Sequence, residues 1–301
     1  MNQHGTVLVY GATGAQGSAF VRALSAKGYG VRALTRSTEK SAGIVENGAR
    51  PVYADLSDSS AIEAASQGCD YVVFTLPLVF DEDVAMRWVE NVIHAAQSAG
   101  LKSFVFNASS LVPEQDTGVA ALDIKRRVSL LLSESGLPVI TLEPTLYMGN
   151  LAAPWSVSSI IHDNTVAYPL PPDIKVSWIS WESLAEFVVA ALERPSLIGR
   201  SLRIPGPEAL TGTDIASAFS SCLQMPIDYY PVPLPDFESG LKRVLGESTA
   251  REIARLYAWF ANQSVTLLAP DPAPAVQALG VRPQRLSDWI RTIDWTGLAN
   301  V

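Results

Sequence analysis

Cysteine is scarce in this chain: 301 residues carry two, Cys69 and Cys222. They match no metal or redox spacing, and no disulfide can be argued from them. Both are expected to pack as small apolar residues. Histidine is almost as sparse. His4, His94 and His162 form no ligand pair at helical spacing, so no metal is expected. Positive charge is also short, with 22 Lys and Arg against 30 Asp and Glu and a net charge of −8. The deficit is even, 11 basic and 15 acidic residues in 1–150 and the same in 151–301. The lack of a basic domain or arm argues against nucleic acid as a direct ligand. The one basic cluster, Lys125-Arg126-Arg127, reads as an exposed helix face. Long apolar runs are missing as well. Tyr71 to Phe80 is about half of the roughly 20 residues a membrane helix needs, so no membrane association is expected. A strand begins by about Thr6 with no charged leader or signal-type segment before it, which points to a reduced, cytoplasmic setting.

What is present is a compact, core-forming composition, 48% hydrophobic and 17% charged, as in α/β enzymes. The most informative segment is Val7-Leu8-Val9-Tyr10-Gly11-Ala12-Thr13-Gly14-Ala15-Gln16-Gly17. A β-branched run leads into glycines spaced G-x-x-G-x-x-G and then a helical stretch. Unpaired N–H groups and a partial positive charge at a helix N-terminus suit a pyrophosphate. Gly11 would allow the sharp turn, Gly14 the approach of backbone to phosphate, and Gly17 the packing of helix on strand. Thr13, Ala15 and Gln16 complete the loop. The spacing is one residue longer than the common G-x-G-x-x-G, but strand, turn and helix follow in the required order, and a dinucleotide site is the expectation.

Strand and helix then alternate. Strands are expected at Thr6–Tyr10, Gly30–Thr35, Arg50–Ala54, Asp70–Thr75, Lys102–Asn107 and Leu137–Leu142. Helices follow each of the first five, with Asp58 a plausible N-cap and Val84, Trp88, Val89, Val92, Ile93 and Ala96 forming one apolar face. Such alternation with short links implies a parallel, doubly wound sheet. From about Gly149 the texture changes. Prolines become frequent and six of the seven tryptophans lie beyond residue 150. Lys175–Ser180 and Arg200–Ile204 read as strands, and 211–222 and 236–262 as helices. The expected fold is therefore α/β: a doubly wound parallel Rossmann sheet with a smaller mixed α/β C-terminal substrate lobe. Residues 1–150 form the nucleotide domain, with 174–205 returning to it, and 151–301 the smaller lobe.

The second strand selects the dinucleotide. NAD-preferring sites carry a carboxylate about 20 residues past the glycines. Here the chain reads Thr35-Arg36-Ser37, with no carboxylate. A guanidinium grips a 2′-phosphate in bidentate fashion, so Arg36, helped by Ser37 or Thr35, points to NADP(H). Arg32 is a weaker candidate, mid-strand. At the carboxyl ends of later strands lie Asp55-Leu56, suited to an adenine edge; Thr75-Leu76-Pro77, suited to the pyrophosphate or nicotinamide ribose; Asn107-Ala108-Ser109-Ser110; and Glu143-Pro144-Thr145-Leu146-Tyr147. Lys125 lies on the helix after the fifth strand.

Gly11-x-x-Gly14-x-x-Gly17, Thr35-Arg36, Ala54-Asp55-Leu56, Asn107-Ala108-Ser109-Ser110, Lys125 and Pro144 resemble the NmrA-like branch of the atypical short-chain dehydrogenase/reductases. Trp178-Ile179-Ser180 and Leu279-Gly280 extend the resemblance over nearly the whole chain. It implies a Rossmann lobe, a small substrate lobe and NADP(H). It also implies either an NADPH-dependent reductase of a small apolar electrophile, such as a quinone or conjugated carbonyl, or a catalytically silent NADP(H)-binding redox sensor acting through a protein partner. The chain departs from the superfamily at one point. Typical short-chain dehydrogenases carry Tyr-x-x-x-Lys, in which the lysine lowers the tyrosine pKa. If Lys125 is that lysine, the tyrosine position holds Ala121. Three readings stay open. Lys125 orients the ribose or acts as the acid; Tyr147 replaces the tyrosine; or no proton donor is needed. Ser109 or Ser110 would hydrogen-bond a substrate oxygen or cap a turn, and Asp123 reads as solvated. A small-molecule substrate is expected; a homodimer or protein partner is left open.

Overall fold

The computed structural model describes residues 4–299, with the side chains of Pro154, Trp155 and Ala299 outside the description. In chain order the elements are β1 (Thr6–Val9), α1 (Ala15–Ala26), β2 (Gly30–Thr35), α2 (Ser41–Glu46), β3 (Arg50–Tyr53), α3 (Ser59–Ser66), β4 (Tyr71–Thr75), α4 (Glu82–Ala99), β5 (Ser103–Asn107), α5 (Ala120–Glu134) and β6 (Val139–Pro144). A short 3-10 turn (Met148–Ala152) then precedes α6 (Pro154–His162), β7 (Thr165–Tyr168), α7 (Trp181–Leu192) and β8 (Ser201–Ile204). The chain ends with α8 (Gly212–Leu223), β9 (Asp228–Pro231), α9 (Leu234–Leu245), α10 (Glu247–Ala261), α11 (Ala273–Leu279), α12 (Leu286–Thr292) and α13 (Trp295–Ala299). None of the described helices is long and apolar enough to cross a membrane.

Two compact units interleave along the chain. The first holds the stretch through Pro144, with Trp181–Ile204 and Pro274–Val281. Its seven strands run in the order β3-β2-β1-β4-β5-β6-β8, and every pairing is parallel. The expected doubly wound α/β sheet is thus present. Strands β1, β4 and β5 are buried on both faces, as parallel strands under helices must be. One side packs Leu8, Tyr10, Phe74, Phe104 and Phe106 against Ile62 of α3, Val89 and Val92 of α4, and Val128 of α5. Asp58 caps α3 as expected, accepting from Ala61 N at 3.0 Å, and Asp81 caps α4 through Val84 N at 2.9 Å. Strand order reverses between β1 and β4, and that is where a doubly wound sheet opens its crevice.

The second unit holds Thr145–Ser180, Pro205–Ala273 and the stretch from Arg282 onward. It has one two-stranded parallel sheet, β7 with β9. The strand expected over Lys175–Ser180 is instead an irregular segment with isolated bridges, Val176 to Leu210 and Tyr147 to Ile179. Its backbone bonds are shared among separate stretches, to Leu146, Leu210, Val265 and Leu268, and none runs alongside long enough to build a ladder. The helix expected over 236–262 is two helices, because Gly246 adopts φ 81° and breaks the backbone path.

Candidate nucleotide and active site

The glycine turn joins β1 to α1. Gly11 sits at φ 68°, a left-handed conformation that costs glycine nothing. Its carbonyl accepts from Gly14 N at 3.1 Å, and Ser18 N then bonds Gly14 O at 2.8 Å to start the helix. A Cβ on Gly17 would overlap the Gly11 carbonyl, so glycine there is demanded by the protein itself. Gly14 differs. A Cβ there would meet only the Gly11 oxygen, at an ordinary 3.5 Å. Among the described residues no contact requires glycine at 14, and the position beside it is open. Gly14 is also the N-cap of α1, without a side-chain cap or an acidic residue in the first turn. That helix end keeps its positive character.

The carboxyl ends of β4 and β5 add a polar network. Asn107, 1% exposed, donates from Nδ2 to Gln16 Oε1 at 2.7 Å, Thr75 Oγ1 at 3.2 Å and Ser109 Oγ at 3.4 Å. Ser109 N donates to Asn107 Oδ1 at 3.1 Å, and Ser109 Oγ to Gln16 Oε1 at 3.3 Å. Four predicted site residues from three loops thereby meet. Ser109 holds φ 58°, an unusual conformation for a residue with a side chain, and such backbone clusters at ligand clamps. Leu76 and Pro77 follow Thr75, half-buried.

Arg36 stands at the end of β2, exposed, with Nη1 3.5 Å from Asp55 Oδ2. Asp55 is held more firmly by Ser57, whose N and Oγ donate to it at 2.9 and 2.6 Å. Those bonds, with a smaller contribution from Arg36, lower its pKa. Leu56 is buried beside it. Ser37 N bonds Thr35 Oγ1 at 3.1 Å and shapes the turn that carries Arg36. Arg32 is committed elsewhere, donating to Ala65 O and Gln67 O at 2.9 and 2.7 Å.

Lys125 lies mid-way along α5, and Ala121 one turn earlier offers no hydroxyl. Among the described residues Lys125 has neither a hydrogen bond nor an ion pair. Burial away from water brings its pKa down from 10.5 to about 8. Pro144, buried at the end of β6, pairs with Ile204 of β8. Tyr147 belongs to the second unit, where it is 8% exposed and leads into the 3-10 turn.

Two carboxylates had no such role in the sequence. Asp123 is not merely solvated: it accepts from Thr117 N and Oγ1, each at 2.7 Å, and from Gly118 N at 2.9 Å, folding the loop before α5. Glu143, 8% exposed, accepts from Val112 N at 2.9 Å and from the Ser201 hydroxyl, tying the loop after β5 to the sheet. Its signal was a carboxylate inside the otherwise apolar strand Val139–Pro144.

An all-parallel sheet with a glycine turn and a polar cluster at its reversal point defines a doubly wound, Rossmann-type protein. The chain belongs to the NmrA-like family, whose model matches residues 3–290. It is 30% identical over 261 residues to the NAD(P)H azoreductase of Xenophilus azovorans, covering 84% of this chain and 86% of that protein. It is 25% identical over 299 residues to the photosystem II assembly factor Ycf39 of a Synechocystis strain, covering 92% and 86%. Among solved structures, an NADPH-dependent quinone oxidoreductase from Escherichia coli complexed with NADPH superposes with a TM-score of 0.78 at 20% identity, over 95% of this chain and 99% of that one.

Proposed function

We propose that the protein is an NADPH-dependent reductase of a small apolar electrophile, a quinone or conjugated carbonyl first. The observation that carries this reading is the open position beside Gly14 at an uncapped helix N-terminus. The azoreductase and quinone oxidoreductase names of its relatives support it. In this reading the α1 N-terminus and the Gly11–Gly17 turn hold the pyrophosphate, with Thr13, Ala15 and Gln16 lining it. Arg36 and Ser37 take the 2′-phosphate, and Asp55 and Leu56 flank the adenine. Thr75, Leu76, Pro77, Asn107 and Pro144 bound the nicotinamide end.

NADPH, when bound, supplies a hydride. The substrate gains that hydride and one proton, and is reduced by two electrons. Lys125 supplies the proton, because an unpaired ammonium with a pKa of about 8 is poised near working pH for general-acid catalysis. It regains its proton from solvent. Ser109 orients the substrate oxygen, and Tyr147 is the alternative donor. The test is stopped-flow oxidation of NADPH against a panel of quinones, aldehydes and enones. Turnover with at least one member is expected. NADPH that binds but is oxidised by none would overturn the reading in favour of a silent, partner-binding sensor. The assembly-factor relative favours that second reading.

A further inference from the structure

The second unit buries a cluster of polar hydrogens that its own residues do not use. Tyr168 of β7 and Tyr257 of α10 stand hydroxyl to hydroxyl at 2.5 Å. Asn150, in the 3-10 turn, approaches the same pair through its donor, with Nδ2 3.4 Å from the Tyr168 oxygen. Burial raises the pKa of Tyr168 and pushes Tyr257 up to about 12, so both phenols keep their protons. The two hydroxyls therefore hold two protons. One lies in the bond between them, and the other has no acceptor among the described residues, because Asn150 turns the NH2 side of its amide to the pair. The third phenol is already committed: Tyr229 OH donates to Leu170 O at 2.8 Å.

Trp178 adds a second unused donor. It is 2% exposed, its ring lies 5.0 Å from that of Tyr168 at 77°, and its buried Nε1 has no hydrogen-bond partner among the described residues. Phe237 and Phe260 pack on Tyr257, so the surroundings are aromatic and apolar. Buried donors are almost always paired, and an exception calls for an explanation. Two exceptions sharing one ring contact point to a missing acceptor, and aromatic neighbours suit a flat ring system.

We propose that the Trp178 indole N–H and the spare hydroxyl proton of the Tyr168–Tyr257 pair form a two-donor site for the carbonyl oxygen of a planar aromatic compound of the quinone class. The proposal deepens the reductase reading and rests on it for the identity of that compound. Asn150 is a positioning residue here, fixing the phenol pair by donating to it.

The test avoids turnover. The protein is labelled at its tryptophan indole nitrogens, held in excess NADP+, which cannot give a hydride, and titrated with menadione or, as a control, methylnaphthalene. One of the seven indole N–H signals, the one lost in Trp178→Phe, should move with menadione and stay still with the hydrocarbon. Should Trp178→Phe not fold, Tyr168→Phe identifies the same signal by removing its ring neighbour's hydroxyl. Removing both hydroxyls, in the double variant Tyr168→Phe/Tyr257→Phe, should weaken the menadione titration by about 3- to 10-fold, as expected for one neutral hydrogen bond, and leave NADP+ affinity alone. A signal that never moves, or moves equally with methylnaphthalene, would overturn the site. So would a double-variant titration equal to that of the unaltered protein, which would mean the Asn150 amide oxygen takes the spare proton. A protein that binds menadione this way yet never oxidises NADPH keeps the site and loses the reductase reading. One that reduces menadione while the Trp178 signal stays still does the reverse.

Discussion

The two units hold themselves together on different terms. In the first, order comes from the backbone: seven parallel strands in register, helices that start on Asp58 and Asp81, and a turn in which Gly11 is fixed by φ and Gly17 by contact. In the second, order comes from side chains reaching across loops. Thr145 bonds the Ser177 carbonyl, Arg285 reaches Glu208 at 3.0 Å, and Tyr229 reaches Leu170. A site built from backbone is tolerant of side-chain identity except where the chain itself is crowded. A site built from side chains can be altered one hydrogen bond at a time.

The sharpest way to break this comparison is to substitute two glycines of one turn. Gly14→Val should fold normally and lose binding of NADP+ below detection by calorimetry, because the side chain enters ligand space. Gly17→Ala should lose binding and also stability, by about 1–3 kcal/mol in chemical denaturation, because its Cβ overlaps the Gly11 carbonyl. If both variants bound NADP+ normally, the turn would be a structural feature only.

The next largest effect belongs to Lys125. Lys125→Met should lower kcat by roughly 10²–10⁴-fold if the lysine gives the proton, with a smaller change in cofactor affinity. Tyr147→Phe should then be mild; the reverse order would move the donor to Tyr147. Activity and stability should run in opposite directions with pH. Turnover should fall as pH rises through about 8, where Lys125 loses its proton. Stability should rise over the same window, because the unfolded chain still binds that proton up to about 10.5. At pH 7 the buried charge is a net cost, so Lys125→Met should raise the thermal midpoint there, and the gain should vanish as the pH passes 10.5.

The smallest effect tests the second unit alone. Thr211 caps α8, accepting from Asp214 N at 3.2 Å while Asp214 accepts from Thr211 N at 2.9 Å. Thr211→Ala should cost about 1 kcal/mol of stability and leave NADP+ affinity unchanged in titration. A large loss of affinity would show that the nucleotide site depends on this capping box.

The same contrast explains what could be read from the sequence. The glycine turn, the parallel sheet implied by alternation, the Asp58 cap and the buried face of α4 all rest on local periodicity and turn chemistry, which a sequence carries openly. So does the meeting of Thr75, Asn107 and Ser109, since residues at the carboxyl ends of adjacent parallel strands must converge. Asp123 and Glu143 were not legible in these roles, because their partners are loop amides and a hydroxyl that no spacing rule connects. The segment 175–180 has strand-like residues but no strand beside it, and tertiary context decides such cases. Gly246 interrupts 236–262 through a backbone angle rather than through a change in apolar pattern. The phenol pair of Tyr168 and Tyr257 joins positions 89 residues apart, beyond any local signal.

The most direct test of the central claim is a pair of calorimetric titrations, NADP+ and NAD+, on the unaltered protein and on Arg36→Ala. Arg36, exposed at the end of β2, should give NADP+ at least a tenfold advantage, since a charge-assisted hydrogen bond is worth about 1.5–3 kcal/mol and 1.4 kcal/mol is about tenfold. The substitution should erase most of that advantage by weakening NADP+ alone. Equal affinities for the two dinucleotides in the unaltered protein, or a preference that survives Arg36→Ala, would contradict the account.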